Sequence, residues 1–517
     1  MEFLASRDEM QKIDAYSIEK IGIPGIVLME RAALAMEEEI LSRYGNDKKI
    51  LIVTEKGNNG GDGLALGRML LSHGAKVTFF EIGAIHHTTD SYQIQRTILE
   101  NLGVEIAGQM PEEDYDIIID AIFGVGLKRA VVGVQAEVVR MMNEKTAIKI
   151  ALDVPTGIDA TSGKLLGETF QADLTITVGL SKIGLVLAPG AKYAGKVVVK
   201  DIGFPEKAVK EIAPHVYCDT EEDLLRLPKR DPWSNKGTYG RVLAICGSKN
   251  MAGAAYLSGS AAYHTGVGLV RFFTPEENRV ILQTKLPEAI MTTYEKTEHM
   301  TDETGRALEQ ALSWATVIVI GPGLGMSQHT SDMVKMVLTE GRRPLVIDAD
   351  GLNTLSAMGE EGEKLLYAYP EDIILTPHLK EMSRLTGKSI SDLKDDLIGS
   401  CQNAVKNMQI EKSREHAARV IVEKDARTVV SDGEYTYINR SGNQGMSVGG
   451  SGDVLSGIIA GLIAQGADAM TAAELGTYIH GLAGDIAAEK KGARSMMAVD
   501  IIRNLCDVFV NHGKTID

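Results

Sequence analysis

Cysteine is scarce and scattered: Cys218, Cys246, Cys401 and Cys506 lie far apart, with no C-x-x-C pair among them. That spacing offers neither a zinc site nor a disulfide framework, and it predicts a reducing cytoplasm. No apolar run approaches the ~18 residues of a membrane helix, and the start MEFLASRDEMQKID has no apolar signal core. The expectation is a soluble cytoplasmic chain without a membrane partner. Positive charge is in deficit, since 54 Lys and Arg face 70 Asp and Glu and leave a formal charge of −16. Such a chain has no long-range field to hold a phosphate backbone, which argues against nucleic acid. The other proportions, 44% hydrophobic and 24% charged, are ordinary and exclude a disordered chain. Its 517 residues suggest several domains. Glycine is in surplus, 54 of 517, against a usual share of ~7%.

The pattern over residues 9–43 predicts a helix, with Pro24 in a first helical turn and Ile26, Leu28, Ala32, Ala33, Met36 and Ile40 on one face. Short apolar strands then alternate with helices: KKILIVT, AKVTFFEIG, DIIIDAIFG, AIKIALDVP, ADLTITVG and KVVVKDIG, with helices near 62–73, 90–102 and 133–144. A polar stretch with two prolines, 219–235, marks a boundary, predicting domains 1–218 and 225–517. A second alternating series follows: GRVLAICGS, GLVRFFT, TVIVIGPG, PLVIDAD, DIILTPH and RVIVEKDA. The hairpin pattern RTVVSDGEYTYIN and helices at about 450–466, 471–490 and 498–511 close the chain. Alternation of this kind makes both halves α/β, each with a mostly parallel sheet covered on two faces.

Three clusters in the first half directly follow strands: GNNGGDG (57–63), DAIFGVGLKR (120–129) and DVPTGID (153–159). In open parallel sheets ligands bind outside the carboxyl ends of strands, so three such clusters describe one crevice. Glycines at 57–63 let backbone approach a ligand and aim N–H groups at an anion. Asp62, where a helix is expected to begin, serves equally well as a cap. Asp120 and Asp153 end apolar strands, where a carboxylate without a partner costs energy.

These stretches, with GLSKIGLVLAPG, resemble the NAD(P)H-hydrate epimerase domain. The resemblance implies a Rossmann-like fold that interconverts the R and S forms of hydrated nicotinamide cofactor. Asn58, Asn59, Gly60, Gly61 and Asp62 would then contact substrate, together with Gly124, Val125, Gly126, Leu127, Lys128, Arg129 and Ala130. Asp153 would be the acid and base at the hydrated ring, and Asn59, Asp120 and Thr156 would bind potassium, a hard cation suited to oxygen ligands. Where relatives often carry a substrate-contacting Tyr, this chain has Gln135, and no contact is assigned to it.

In the second half, NQGMSVGGSGDVLSG (443–457) runs small residues into a helix expected to begin near Gly449, an anion site built from free N–H groups and the helix dipole. Asp453 inside that loop suits proton abstraction from a hydroxyl while the N–H groups hold an arriving phosphoryl group. The dipole beside it predicts an ionised, weakly basic carboxylate. The G-G-S-G-D stretch resembles the ribokinase-like superfamily. With SNKGTYGRVL, GSKNMAGAAYLSG, GPGLG, DADGLN and TPHLKEMSRL it resembles the NAD(P)H-hydrate dehydratase branch. The resemblance implies that Ala254, Gly323, His378 and Asp453 contact the hydrate. Lys424, Asp425, Ala426, Arg427, Thr428 and Gly452 would contact ADP, with magnesium on its phosphates. Relatives commonly have glycine where Asp425 stands, and His378 after Pro377 reads also as a helix cap.

Together the two halves resemble the bifunctional hydrate-repair family. Hydroxide leaves poorly and phosphate readily, so a kinase-like site that phosphorylates the hydrate's hydroxyl makes dehydration feasible. Such a site accepts one epimer, and an epimerase on the same chain supplies it. The expected partners are hydrated NADH or NADPH and ADP, in a homo-oligomer. Two alternatives stay open: a vitamin-precursor kinase in the second half, and a non-catalytic nucleotide-binding module in the first.

Overall fold

The computed structural model describes residues 1–83, 88–408 and 417–513. The chain forms two compact units, one of Phe3–Val216 and one of Met1–Glu2 with Tyr217–Asp517. Tyr217 and Leu224 are buried in the core of the latter unit, so part of the polar 219–235 stretch folds with it. Among the described residues, no helix is long and apolar enough to cross a membrane.

The first unit carries a seven-stranded sheet in the order Ile106–Ala107, Lys76–Glu81, Lys49–Thr54, Ile117–Ala121, Ile148–Leu152, Leu174–Val178, Lys196–Lys200. All its pairings are parallel. Alternate residues of one strand feed two cores. Ile50 and Ile52 pack with Ile117 and Ile119 under Leu28, Met36 and Leu64, while Leu51 and Val53 join Ile118, Val138 and Met142 on the other face. Burial on both faces is why these strands read as unbroken apolar runs. The order reverses between Lys49–Thr54 and Ile117–Ala121, and the crevice for a ligand opens there.

The single helix expected over 9–43 is broken. Arg7–Ala15 passes into a wide turn of π-helix, Tyr16–Ile21, which ends at Gly22 with φ 89°, and a new helix runs Gly25–Tyr44. Pro24 is the residue before that helix and not part of its first turn. The left-handed Gly22 stops the first segment, a signal that apolar spacing alone does not carry. Leu4 and Ala5 pair in parallel with Ser181 and Lys182, which fixes the register of Lys182.

The second unit orders its strands Ile290–Tyr294, Leu269–Pro275, Arg241–Ile245, Val317–Ile320, Leu345–Ile347, Ile373–Leu375, Arg419–Glu423, Val429–Ser431, Thr436–Ile438. The first seven pair in parallel and the last two form the antiparallel hairpin. The edge strand Ile290–Tyr294 was not legible, because its IMTTY sequence is mostly only partly buried and shows no unbroken apolar run. The order again reverses, between Arg241–Ile245 and Val317–Ile320. Over this sheet lies the helix Ser451–Ala464, pressed against Ala252–Thr265. A side chain at Gly457 would collide with the Ser258 carbonyl, so glycine there sets the close approach of the two helices.

Candidate functional sites

In the first unit the GNNGGDG stretch forms a helix from its second residue. Gly57 is the N-cap and Asn58–Ser72 the helix, so Asp62 sits inside it and does not cap it. Gly63 explains the displacement: its missing Cβ would lie 2.5 Å from the Cβ of Ala121, so the helix rests directly on the sheet. Gly60 likewise faces the Glu55 carbonyl and Gly61 the Met29 side chain. These glycines serve packing, and neither Gly60 nor Gly61 is on the wall of the adjoining cavity.

That cavity holds about 660 Å³. Its wall includes Asn58, Asn59, Asp62, Asp153 and the run Gly124–Arg129, whereas Ala130 lies outside and is exposed. Asn59 is 9% exposed, and neither its Oδ1 nor its Nδ2 has a hydrogen-bond partner. Gly124 closes the same corner, for a Cβ there would lie 2.9 Å from Asp153 Oδ2 and 3.1 Å from Asn59 Oδ1. Asp153 adopts φ 62°, a left-handed conformation that costs an L-residue about 1 kcal/mol. Its Oδ2 accepts the Val125 N–H at 2.9 Å, and its Oδ1 lies 2.6 Å from Lys182 Nζ and 3.2 Å from the Thr177 hydroxyl.

Asp120 and Thr156 lie outside the cavity wall and are fully buried. Asp120 Oδ2 accepts the Thr156 N–H at 2.7 Å; its Oδ1 accepts the Thr156 hydroxyl at 2.8 Å and the Ile122 N–H at 3.1 Å. Burial nevertheless pushes its pKa up to about 6, against those hydrogen bonds. Gln135 turns to Glu55, donating at 3.4 Å. Sequence reasoning missed Asp14 and Lys182, both on the cavity wall. For Lys182 the only signal was one charge inside the apolar run GLSKIGLVL; Asp14 gave none.

In the second unit Gly450, at φ 93°, caps the helix Ser451–Ala464. The first-turn amides of Gly452 and Asp453 have no place in the helix's own ladder and remain free for an anion. Lys424 Nζ pairs with Asp348 Oδ1 at 2.7 Å, while Asp348 Oδ2 is buried without a partner. Both groups border Gly452, whose missing Cβ would lie 3.2 Å from Lys424 Nζ. Asp453 differs from expectation. Burial, and then the Asp348 carboxylate, push its pKa up to about 7, with the Lys424 ammonium opposing. Desolvation outweighs the helix dipole, and the group is a far better base than a solvated aspartate.

Ala254 and Gly323 lie against each other, a Cβ at Gly323 falling 2.8 Å from that of Ala254. His378 caps the helix Leu379–Thr386: its Nδ1 accepts the N–H groups of Lys380 and Glu381 at 3.1 and 3.2 Å. Its Nε2 lies 3.5 Å from Glu381 Oε1. Burial and the Lys424 charge lower its pKa, so the ring is neutral near pH 7. In the loop after Lys424, Asp425 and Ala426 are exposed, Arg427 donates to the Arg440 carbonyl at 3.0 Å, and the Thr428 carbonyl accepts the Asn439 N–H at 2.9 Å. Asp348 was not singled out, although it ends an apolar strand as Asp120 and Asp153 do. His480, fully sequence-silent on a helix face, has its pKa lowered to about 4 by burial, and its Nε2 lies 3.3 Å from the Ser451 hydroxyl.

Comparisons with known proteins find relatives of both halves of the chain. A family model described as NAD(P)H-hydrate dehydratase matches residues 242–506, and one described as YjeF-related protein N-terminus matches residues 25–184. The bifunctional NAD(P)H-hydrate repair enzyme Nnr of Moorella thermoacetica is 36% identical, covering 98% of this chain and 97% of its own length. The enzyme of that name from Coxiella burnetii is 34% identical over 99% of this chain and the whole of its own. That of Escherichia coli K12 is 30% identical, over 96% of this chain and 92% of its own. Among solved structures, a ribokinase-like superfamily protein from Enterococcus faecalis V583 matches with a TM-score of 0.50 and 28% identity, covering 58% of this chain and 96% of that one.

Proposed function

The chain belongs to the bifunctional NAD(P)H-hydrate repair enzymes, and from that premise we propose how its residues divide the repair. In the first unit Asp153 moves a proton at the hydrated ring, and in the second Asp453 starts the dehydration of the S epimer. The observation that carries this reading is the placing of Asp453, a carboxyl with pKa about 7 in the first turn of the helix Ser451–Ala464. A base of that strength is half-ready at neutral pH, and free amides one residue away suit the incoming phosphoryl group.

Dehydration then proceeds in two stages. Asp453 takes the hydroxyl proton as that oxygen attacks the terminal phosphoryl group of ADP, which leaves AMP. The ring nitrogen next pushes phosphate out and restores the reduced nicotinamide. Ala254, Gly323 and His378 border the hydrate in this reading, and Lys424–Thr428 with Gly452 hold the nucleotide. Magnesium fits the oxygen donors here, notably the unpartnered Oδ2 of Asp348, and when bound neutralises charge on the phosphates.

In the first unit Asn58, Asn59, Asp62 and the Gly124–Arg129 run border the hydrate. Potassium fits as well: Asn59 Oδ1 lacks a partner and Asp120 and Thr156 add hard oxygens. Bound there, it would supply positive charge near the substrate's phosphates. Epimerisation is expected to fall in potassium-free buffer and in Asp120→Ala, with dehydration unchanged. The four cysteines are free, which suits a reducing cytoplasm. We also expect a homo-oligomer, which sedimentation tests. The principal test incubates hydrated NADH with ADP and magnesium and follows the reduced-nicotinamide absorbance. Full recovery from a mixture of epimers supports both assignments, whereas hydroxymethylpyrimidine phosphorylation without recovery would favour the kinase alternative.

A further inference from the structure

We propose that Asp62 is the general acid of the epimerase site and that Asp153 is its partner base. The inference rests on reading this cavity as the epimerase site. Asp14, Asp62 and Asp153 all border it, and one buried ammonium, Lys182, faces them. The remaining cations on its wall, Lys128 and Arg129, are exposed.

Lys182 is fully committed. Its Nζ lies 2.6 Å from Asp153 and donates to the Thr177 hydroxyl and the Val178 carbonyl, both at 2.8 Å. Asp153 therefore has a cation on one oxygen and the Val125 N–H on the other, and its charge is supported. Asp62 has neither. It lies in the second turn of the helix Asn58–Ser72, past the free amides of the first. Burial and the carboxylates of Asp153 and Asp14 hold its pKa well above the ordinary range, and only Lys182 opposes them. Asp14, on the helix Arg7–Ala15, is raised in the same sense. Met29 and Phe204 add apolar wall. One cavity thus gives its buried cation and an N–H donor to Asp153 and leaves Asp62 to burial and like charges, two settings of the kind that separate a base from an acid. Asn59, nine-tenths buried with both amide atoms unpartnered, opens on the same cavity and marks it as built for a polar ligand.

The chemistry balances without another reactant. Asp62 gives its proton to the hydroxyl on carbon 6, and the C6–O bond breaks as water departs with the bonding pair. The lone pair of the adjacent ring nitrogen forms the C6=N bond. Water returns to the opposite face, the π pair goes back to nitrogen, and Asp153 takes the proton of the added water. One passage moves a proton from Asp62 to Asp153, and the reverse passage moves it back.

The test compares Asp62→Asn, Asp62→Glu and Asp153→Asn in the full chain, measuring epimerisation against pH after subtraction of the spontaneous rate. Asp62→Asn is expected to lower kcat by roughly 10²–10⁴-fold, the range for a lost general acid, with KM little changed. Wild type should lose rate at high pH as Asp62 ionises, and Asp62→Glu should restore activity together with that limb at a shifted pH. Asp62→Asn within threefold of wild type, or a loss confined to KM, overturns the proposal. Should that variant not fold, the Glu variant decides, an unshifted high-pH limb counting against Asp62. Full activity in Asp153→Asn would instead overturn the cavity's assignment as the epimerase site.

Discussion

Each unit sets an aspartate near the carboxyl end of a parallel strand, Asp153 directly after Ile148–Leu152 and Asp453 beside Asp348, which follows Leu345–Ile347, and the two are treated in opposite ways. Asp153 receives an ammonium at 2.6 Å and a backbone N–H at 2.9 Å. Asp453 receives burial and a neighbouring carboxylate, Asp348, with the cation Lys424 already paired to that neighbour. The same side chain meets a cation in one unit and burial beside a like charge in the other, where its pKa is pushed up to about 7. Residue type names the chemistry available, and the surroundings choose the protonation state in which it is used.

Removing the base proposed for the second unit should have the largest effect. Asp453→Asn keeps the shape and the free amides but accepts no proton. Dehydration should fall by roughly 10²–10⁴-fold, while epimerisation in the same preparation stays at the wild-type rate. Equal loss of both activities would erase the distinction between the units.

Next in size is Lys182→Met. Leaving the Asp153 carboxylate buried and unpaired costs about 3–5 kcal/mol. The urea midpoint for loss of epimerase activity should therefore drop well below wild type, with the dehydratase midpoint unmoved.

A smaller change sharpens the electrostatic argument. The carboxyl of Asp453 must be ionised to act, so dehydration should rise with pH through about 7 and then level off. Asp348→Asn removes a like charge and frees Lys424, and both changes favour the ionised form. The acid limb should move down by about one pH unit; an absent shift would show that burial alone sets it, and an upward one would contradict the assignment of Asp348 as a raising charge.

The smallest effect is expected at the one departure in the nucleotide loop. Asp425 is exposed, so Asp425→Gly should change ADP affinity by no more than about threefold, the scale of a solvated charge. A larger change, read by calorimetry, would place that side chain against the nucleotide.

Most strands of both sheets were legible because burial on both faces leaves unbroken apolar runs, whereas the edge strands Ile106–Ala107 and Ile290–Tyr294, only partly buried, were not. Asp153 and Asp453 were legible too, as charges set where the pattern called for none. What stayed hidden has a common cause. Lys182 reaches Asp153 only because Leu4 and Ala5 hold its short strand in register, and Asp14 comes from a helix some fifty residues ahead of the motif it joins. The break at Gly22 and the start of the helix at Asn58 also depend on what each segment packs against.

By itself, then, the sequence determined the class of fold, the order of elements and the identity of the groups at the carboxyl ends of the strands, since periodicity and punctuation are local properties of the chain. Only the tertiary structure decided the electrostatic setting in which each of those groups is used. That choice depends on desolvation and on charges within a few ångströms, and both are set by residues far apart in sequence: Lys182 beside Asp153, and Asp348 and Lys424 beside Asp453.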